Sequence, residues 1–373
     1  MNIYIDENIP YAQEFFAELG SLHYFAGRSV TAEQLRHADV LLVRSITQVN
    51  ETLLHLNQSL KFVGTATIGT DHIDQKYLQN RGVAFSSAPG CNKVSVAEYI
   101  LSSLLVLAEK KQFQLTDKTV AIVGAGNTGS AVFQRLTALG VNCKLYDPPL
   151  QLAGDKRDFC QFSDVLKADI ITLHVPKITV GPFPTVHMFN HEVLSTLTSG
   201  QILLNASRGD VIDNQALLEI ANGQKLPSLV FDVWENEPNI EKRLLPLVEI
   251  ATPHIAGYSL DGKVRGTEML YQALTDLLSL PTTYTLKDFL PTAAINAINI
   301  SQTVDQTLLK SLVHLIFDVR RDDYLFRQMI EQVDGFDTMR KTYQERRELS
   351  TLTVNAHKSQ NALLTRLGFS TNE

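Results

Sequence analysis

The chain has 373 residues, 44% of them hydrophobic and 20% charged, a balance that suits a soluble globular protein of two or three domains. Its 33 Lys and Arg against 40 Asp and Glu leave a net charge of −7, which argues against a basic nucleic-acid-binding face. Only three cysteines (Cys91, Cys143, Cys160), no signal-like N-terminus and no apolar run long enough to span a bilayer argue against a disulfide scaffold, a zinc site, a secreted protein and a membrane partner; the cytoplasm is the expectation.

In chain order, residues 2–5, 40–43, 62–64 and 83–85 are short apolar runs that predict strands. Continuous rather than alternating runs suit a parallel sheet covered on both faces. Residues 11–19 and 71–79 predict helices between them, the rhythm of an open α/β domain. Residues 95–111 predict the clearest long helix: Val96, Ile100, Leu104 and Leu107 recur at helical spacing, and the intervening leucines make it apolar on most faces. Lys110 and Lys111 stand in its last turn, as the helix dipole prefers.

A second series begins at Lys118. Residues 119–123, 143–146, 170–175, 202–205, 229–233 and 248–251 predict six strands in βα order, a doubly wound parallel sheet of the Rossmann type. A helix over 263–280 and a linker at Pro281-Thr282-Thr283 follow. Beyond residue 290, Leu308, Leu312, Leu315 and Val319 keep helical spacing, and Arg340, Lys341, Arg346 and Arg347 crowd a charged stretch. These residues form a small third domain or oligomerisation arm, or else a tail packed on its own subunit.

Gly124-Ala125-Gly126-Asn127-Thr128-Gly129 follows the predicted strand 119–123 and opens a helix predicted over 130–139. In that setting Gly124 permits a tight turn, Gly126 lets a pyrophosphate approach the backbone, and Gly129 lets helix and strand pack closely. Asp147 ends the next strand, 18 residues after Gly129. An acid there accepts hydrogen bonds from an adenosine ribose and repels a 2′-phosphate, and its neighbours Pro148 and Pro149 offer no cation. NAD is therefore the expected cofactor rather than NADP.

Three later segments stand at the carboxyl ends of predicted strands, where open α/β sheets hold ligands. They supply Arg208, Glu237 and His254. Oxidising a hydroxyl by hydride transfer needs a base for the hydroxyl proton, and histidine titrates near neutral pH. His254 is the candidate base, Glu237 the carboxylate that orients it, and Arg208 the planar cation for a substrate carboxylate. Taken singly, Arg208 also reads as a surface ion pair, Glu237 as a first-turn acid and His254 as a structural histidine.

The glycine unit, Ala206-Ser207-Arg208-Gly209, Asp232-Val233-Trp234-Glu235-Asn236-Glu237-Pro238 and Thr252-Pro253-His254-Ile255-Ala256-Gly257 together resemble the D-isomer-specific 2-hydroxyacid dehydrogenases. The resemblance implies a split flavodoxin-like substrate domain (1–94 and 256–285), a Rossmann NAD-binding domain (95–255) and a C-terminal α+β dimerisation domain (286–373). Residues 95–111 would then cross between domains. It implies Arg208, Glu237 and His254 as active-site residues, and substrate contacts from Ser45, Thr67 and Tyr258. NAD contacts would come from Gly124, Gly126, Asn127, Gly129, Asp147, Val175, Ala206, Ser207, Arg208, Asp232 and Gly257, with Val175 acting through backbone or apolar packing because it has no side-chain hydrogen-bonding group.

The implied substrate is a small phosphorylated D-2-hydroxy acid. Arg44 and Lys93 are candidates for a second cationic grip, on its phosphate, or else solvated surface cations. Cys91, His72 and His187 read as structural, and no metal is expected. The alternatives are the same chemistry on another hydroxy acid, such as a phosphoglycerate, and a non-enzymatic NAD sensor. A homodimer through the C-terminal domain is expected.

Overall fold

Apolar runs of four or five residues become strands in both halves of the chain. The computed structural model describes residues 1–372. One compact unit comprises residues 1–92 and 259–292; the other comprises residues 93–258 and those from 293 onward.

In the first unit β1 (Asn2–Asp6), β2 (Ser21–Phe25), β3 (Val40–Val43), β4 (Phe62–Thr65) and β5 (Ala84–Ser86) form a parallel sheet in the order β2-β1-β3-β4-β5. Every residue of β3 and β4 is buried, which is why these strands read as unbroken apolar runs. The edge strand β2 has only Phe25 buried, and Ser21-Leu22-His23-Tyr24 carries no apolar run, so sequence reasoning missed it. The helix Leu260–Leu278 returns to this unit and packs Val264, Leu270 and Leu274 against Ile3, Ile5, Phe15 and Phe16. It starts before residue 263, where the spacing had placed it, because Ser259 caps it by accepting from the Gly262 N–H at 2.8 Å. Strand order reverses between β1 and β3, and the C-terminal edge there is the expected ligand crevice of such a sheet.

The second unit holds β6 (Thr119–Val123), β7 (Asn142–Tyr146), β8 (Ile170–Leu173), β9 (Ile202–Asn205), β10 (Ser228–Phe231) and β11 (Val248–Ala251). They are parallel, in the order β7-β6-β8-β9-β10-β11, so the reversal falls between β6 and β8. The helix Lys93–Lys111 is buried on nearly every face over residues 95–108, as its leucines require.

Residues 286–373 were expected to form a domain of their own. In the structure, residues from 293 onward group with the six-stranded sheet in one compact unit. Leu309, Leu312, Val313 and Phe317 join the core under the helix Lys93–Lys111, while Phe326, Phe336 and Met339 join the core around Trp234. β12 (Ala297–Asn299) pairs in parallel with β13 (Thr353–Asn355); strands of three residues leave no periodicity to read.

A buried ionic cluster ties this region down. Arg346 Nη2 donates to the Ser95 carbonyl at 2.7 Å and lies 3.6 Å from Glu98 Oε2. Arg135 approaches Glu98 Oε1 at 3.8 Å, and the Leu349 N–H donates to that oxygen at 2.9 Å. Burial, then repulsion from Glu348, raises the Glu98 carboxyl to about 7 despite both guanidiniums. Among the described residues, no helix is long and apolar enough to cross a membrane.

Candidate active site

The glycine turn is built by contact. Gly124 has φ +90°, and a Cβ there would collide with the His174 carbonyl at the end of β8. Val175 Cγ1 would lie 3.0 Å from that Cβ, so Val175 packs directly on the turn. A Cβ on Gly126, by contrast, would meet nothing within 4 Å. Gly126 opens onto a cavity of about 360 Å³ whose lining includes Lys93, Asn127, Ser130 and Arg157.

The helix Asn127–Ala138 starts three residues before the predicted position, with Gly126 as its N-cap and no side-chain cap. Its first-turn N–H groups are thus left for an anion. Asp147 is pinned to the turn: Oδ2 accepts from the Ala125 N–H at 2.8 Å and Oδ1 from the Leu150 N–H at 3.1 Å. These residues fit a dinucleotide, with the pyrophosphate at Gly126 and Asn127 and a ribose at Asp147.

Two neighbours were not anticipated. Arg157 donates to the Ala125 carbonyl (2.9 Å) and Ser130 Oγ (2.8 Å), and its charge is forked onto Asp155 at 2.6 Å. A cation does stand by this loop, then, although neither proline supplies it. His174 pairs Nε2 with Thr172 Oγ1 at 2.9 Å, its Nδ1 is buried without a hydrogen-bond partner, and burial pushes its pKa down to about 3, so it is a neutral ring.

β9, β10 and β11 are neighbours, so the segments after them lie side by side at one edge. Ala206, Ser207 and Arg208 follow β9. Asn205 holds that turn: Oδ1 accepts from Ser207 N (3.1 Å) and Oγ (2.9 Å), and Nδ2 donates to the Arg208 carbonyl at 2.9 Å. Next to Arg208, a Cβ on Gly209 would run into the Trp234 carbonyl. Glycine there is what lets the Arg208 turn abut the segment leading to Glu237.

Asp232 organises the segment after β11. Its Oδ1 accepts from Thr252 Oγ1 and the Ile255 N–H, both at 2.7 Å, and Oδ2 from the Ala256 N–H at 2.9 Å. Burial raises its pKa against these donors and His254. The carboxylate expected to touch NAD is thus committed to the loop that carries His254 and Gly257. His254 has φ +59° and Asn236 has φ +59°, left-handed positions for non-glycine residues that persist where surrounding contacts over-determine them.

Glu237 Oε2 meets His254 Nδ1 at 2.7 Å, and its Oε1 accepts from the Trp234 N–H at 2.9 Å. Burial alone would raise the Glu237 pKa; the facing imidazole and these hydrogen bonds outweigh it and hold the carboxyl below the ordinary range. An ionised Glu237 keeps the proton on Nδ1 and leaves Nε2 as the acid–base atom. Tyr258 is half-buried just beyond, its N–H on the Ile255 carbonyl at 2.8 Å.

In the first unit, Ser45 is exposed after β3 beside half-buried Arg44. Thr67 follows β4, with Oγ1 2.8 Å from Thr65 Oγ1 and donating to the Gly69 carbonyl at 3.0 Å. Both histidines set aside as structural have partners that the sequence did not reveal. His72 Nε2 lies 2.9 Å from Thr65 Oγ1, and burial lowers its pKa. His187 Nε2 lies 2.6 Å from Glu235 Oε1, and that bond raises its pKa.

Residues 106–256 match the NAD-binding domain of the D-isomer specific 2-hydroxyacid dehydrogenases, and residues 289–368 match a domain of unknown function (DUF3410). A curated erythronate-4-phosphate dehydrogenase of Psychromonas ingrahamii is 74% identical over 372 residues, covering 100% of this chain and 97% of that protein. One of the same name from Tolumonas auensis is 52% identical, covering 99% of each. Among solved structures, D-lactate dehydrogenase from Aquifex aeolicus, complexed with NAD and lactic acid, superposes with a TM-score of 0.60 at 26% identity, over 74% of this chain and 96% of that one.

Proposed function

This chain belongs to the D-isomer-specific 2-hydroxyacid dehydrogenases, among the erythronate-4-phosphate dehydrogenases, and from that premise we propose that it oxidises the 2-hydroxyl of 4-phospho-D-erythronate to (R)-3-hydroxy-2-oxo-4-phosphooxybutanoate. That reaction serves pyridoxine 5′-phosphate synthesis. NAD, when bound, supplies the hydride acceptor. The C2–H bond breaks with its electron pair, the C2–O bond becomes a carbonyl, and the hydroxyl proton goes to His254 Nε2. Glu237 stabilises the imidazolium that results, and Arg208 grips the substrate carboxylate. The observation that carries this reading is the 2.7 Å Glu237–His254 contact at the same sheet edge as the glycine cradle.

Gly124, Gly126, Asn127, Gly129, Asp147, Val175, Ala206, Ser207, Arg208, Asp232 and Gly257 form the cofactor side. Ser45, Thr67 and Tyr258 contact the substrate. The first unit serves as the substrate-binding domain, supported by Ser45 and Thr67 lying beyond the C-terminal ends of β3 and β4. Arg44 and Lys93 remain the candidate phosphate cations, although Lys93 also lines the cavity at the glycine turn.

The protein works as a cytoplasmic homodimer. Three free cysteines suit a reducing compartment. Val333 at 91% exposure, with Tyr324 and Leu315, offers apolar surface in the C-terminal region for a second copy.

The test is NADH formation with 4-phospho-D-erythronate, 3-phosphoglycerate and unphosphorylated D-erythronate. The phosphorylated erythronate should give the highest kcat/KM. Preference for phosphoglycerate would reassign the substrate, and no turnover on any acid would leave only an NAD sensor.

A further inference from the structure

The segment that carries His254, Gly257 and Tyr258 is met by three side chains from the C-terminal region. Arg346 Nη1 donates to the Ala256 carbonyl at 3.3 Å. Tyr343 stands edge-on to the Tyr258 ring at 5.7 Å, and its own hydroxyl is fixed by donation to Asp322 Oδ2 at 2.6 Å. Arg340 places its guanidinium carbon 5.7 Å from the centre of the Tyr258 ring and acts electrostatically on Glu237.

Arg340 is not on a loose tail. Its helix, Gly335–Lys341, buries Phe336 and Met339. Phe336 packs on Phe326 at 5.8 Å, and Phe326 on Trp234 at 6.1 Å. Trp234 is the residue whose N–H holds Glu237. The same helix therefore supports Glu237 through an aromatic chain and touches Tyr258 through a cation.

We propose that Arg340 is a positioning residue of the active site, so that the C-terminal region completes the catalytic unit of its own chain in addition to any part in assembly. The proposal rests on the reading that Tyr258 contacts the substrate. The guanidinium lies against the Tyr258 ring, and with Tyr343 edge-on to the same ring it fixes where the Tyr258 hydroxyl stands. A hydroxyl held in place is pre-set for the substrate, and a carboxylate or phosphate oxygen is a matching acceptor for its proton. The guanidinium also keeps a positive charge beside the Glu237–His254 pair while an anionic substrate arrives.

The experiment compares wild type, Arg340→Gln, Arg340→Lys, Tyr258→Phe and the Arg340→Gln/Tyr258→Phe double variant, all full-length. They are assayed on whichever acid of the panel the wild type oxidises fastest. The identity of that acid tests the function, and the mutant-to-wild-type ratio tests Arg340; if no acid is oxidised, both fall. Arg340→Gln should lose at least tenfold in kcat/KM while melting temperature, mass in solution and NADH affinity stay at wild-type values. Arg340→Lys, which keeps the charge and the stem, should fall between. The double variant should be no worse than the poorer single variant, because both changes remove one interaction.

Wild-type kcat/KM in Arg340→Gln overturns the proposal, as does full additivity in the double variant. A loss that tracks lower melting temperature and weaker NADH binding also overturns it, since that marks packing alone. Should Arg340→Gln not fold, Arg340→Lys decides: wild-type stability with a reduced kcat/KM supports the role, and an unchanged kcat/KM overturns it.

Discussion

The two parallel sheets share one strand order over five strands, with the reversal beside the first strand of each, yet their C-terminal edges are finished differently. In the second unit the edge is closed by bonds: Asp232 takes three donors, Glu237 takes His254 and the Trp234 N–H, and Asn205 holds the Arg208 turn. In the first unit Ser45 stands exposed, and the Thr67 hydroxyl bonds Thr65 and the Gly69 carbonyl. A group that moves a proton gains from a fixed tautomer and a fixed distance, and that is where the donors are concentrated. A group that grips a mobile anion gains from keeping its hydroxyl available, as exposed Ser45 does. Equal topology therefore does not imply equal rigidity; the polar side chains beyond the strands decide it.

The largest expected effect tests the closed edge. His254→Ala removes the proton acceptor and should lower kcat by roughly 10²–10⁴ with NADH affinity unchanged, read from steady-state rates and a fluorescence titration. A kcat near wild type would mean that the dyad is structural and the comparison misplaced. Arg208→Lys comes next. It keeps one positive charge but loses the planar fork, and losing a charged hydrogen bond is worth about 1.5–3 kcal/mol, or roughly 10–100-fold in kcat/KM. An unchanged kcat/KM would move the carboxylate grip elsewhere.

The pairing of Glu237 with His254 is legible in the sequence, and the reason is chemical. The proposed base, the acid that would orient it and a planar cation each need one residue type, and the predicted strands 202–205, 229–233 and 248–251 place Arg208, Glu237 and His254 just beyond their ends. Buried strands of a parallel sheet also announce themselves as apolar runs, which is why β3, β4, β6 and β8 to β11 are legible while the half-exposed edge strand β2 is not. The C-terminal region was the least readable. Its contacts with the Tyr258 segment span more than eighty residues of chain, and neither periodicity nor spacing encodes a partner at that distance. Arg157 escaped for the same reason: its tie to Ala125 lies 32 residues upstream.

A third experiment sharpens the contrast inside the second unit, where half-buried Glu237 and fully buried Glu98 are pushed in opposite directions. Burial raises both, but Glu237 faces a histidine and a backbone donor, whereas Glu98 also faces the repulsion of Glu348. A carboxyl raised from 4.5 to about 7 on folding keeps its proton while the unfolded chain has lost it. The stability tied to that proton is fully present below the unfolded value and is lost as pH rises through the folded one. The loss is about 1.4 kcal/mol per pH unit across that window. Glu98→Gln removes the titration, so the difference in unfolding free energy between the two proteins, measured by urea melts from pH 5 to pH 8, should change with that slope and then level off. A pH-independent difference would show that the two arginines hold Glu98 ionised throughout.

The smallest effect belongs to the open edge, and it decides whether that edge takes part in binding at all. Thr67→Ala removes one hydroxyl whose neutral hydrogen bond to a substrate oxygen is worth about 0.5–1.5 kcal/mol, or roughly 2–10-fold in KM. The Thr67 hydroxyl is also tied to Thr65 and Gly69, so a change in stability has to be measured beside it. Ser45→Ala is the cleaner partner, because Ser45 is exposed and its removal disturbs no core packing. If the first unit only grips, both variants raise KM and leave kcat at the wild-type value, since the base and its carboxylate are untouched. A fall in kcat at saturating substrate in both variants would mean that this edge also orients the reacting carbon, and the division between a rigid chemical edge and an open binding edge would fail.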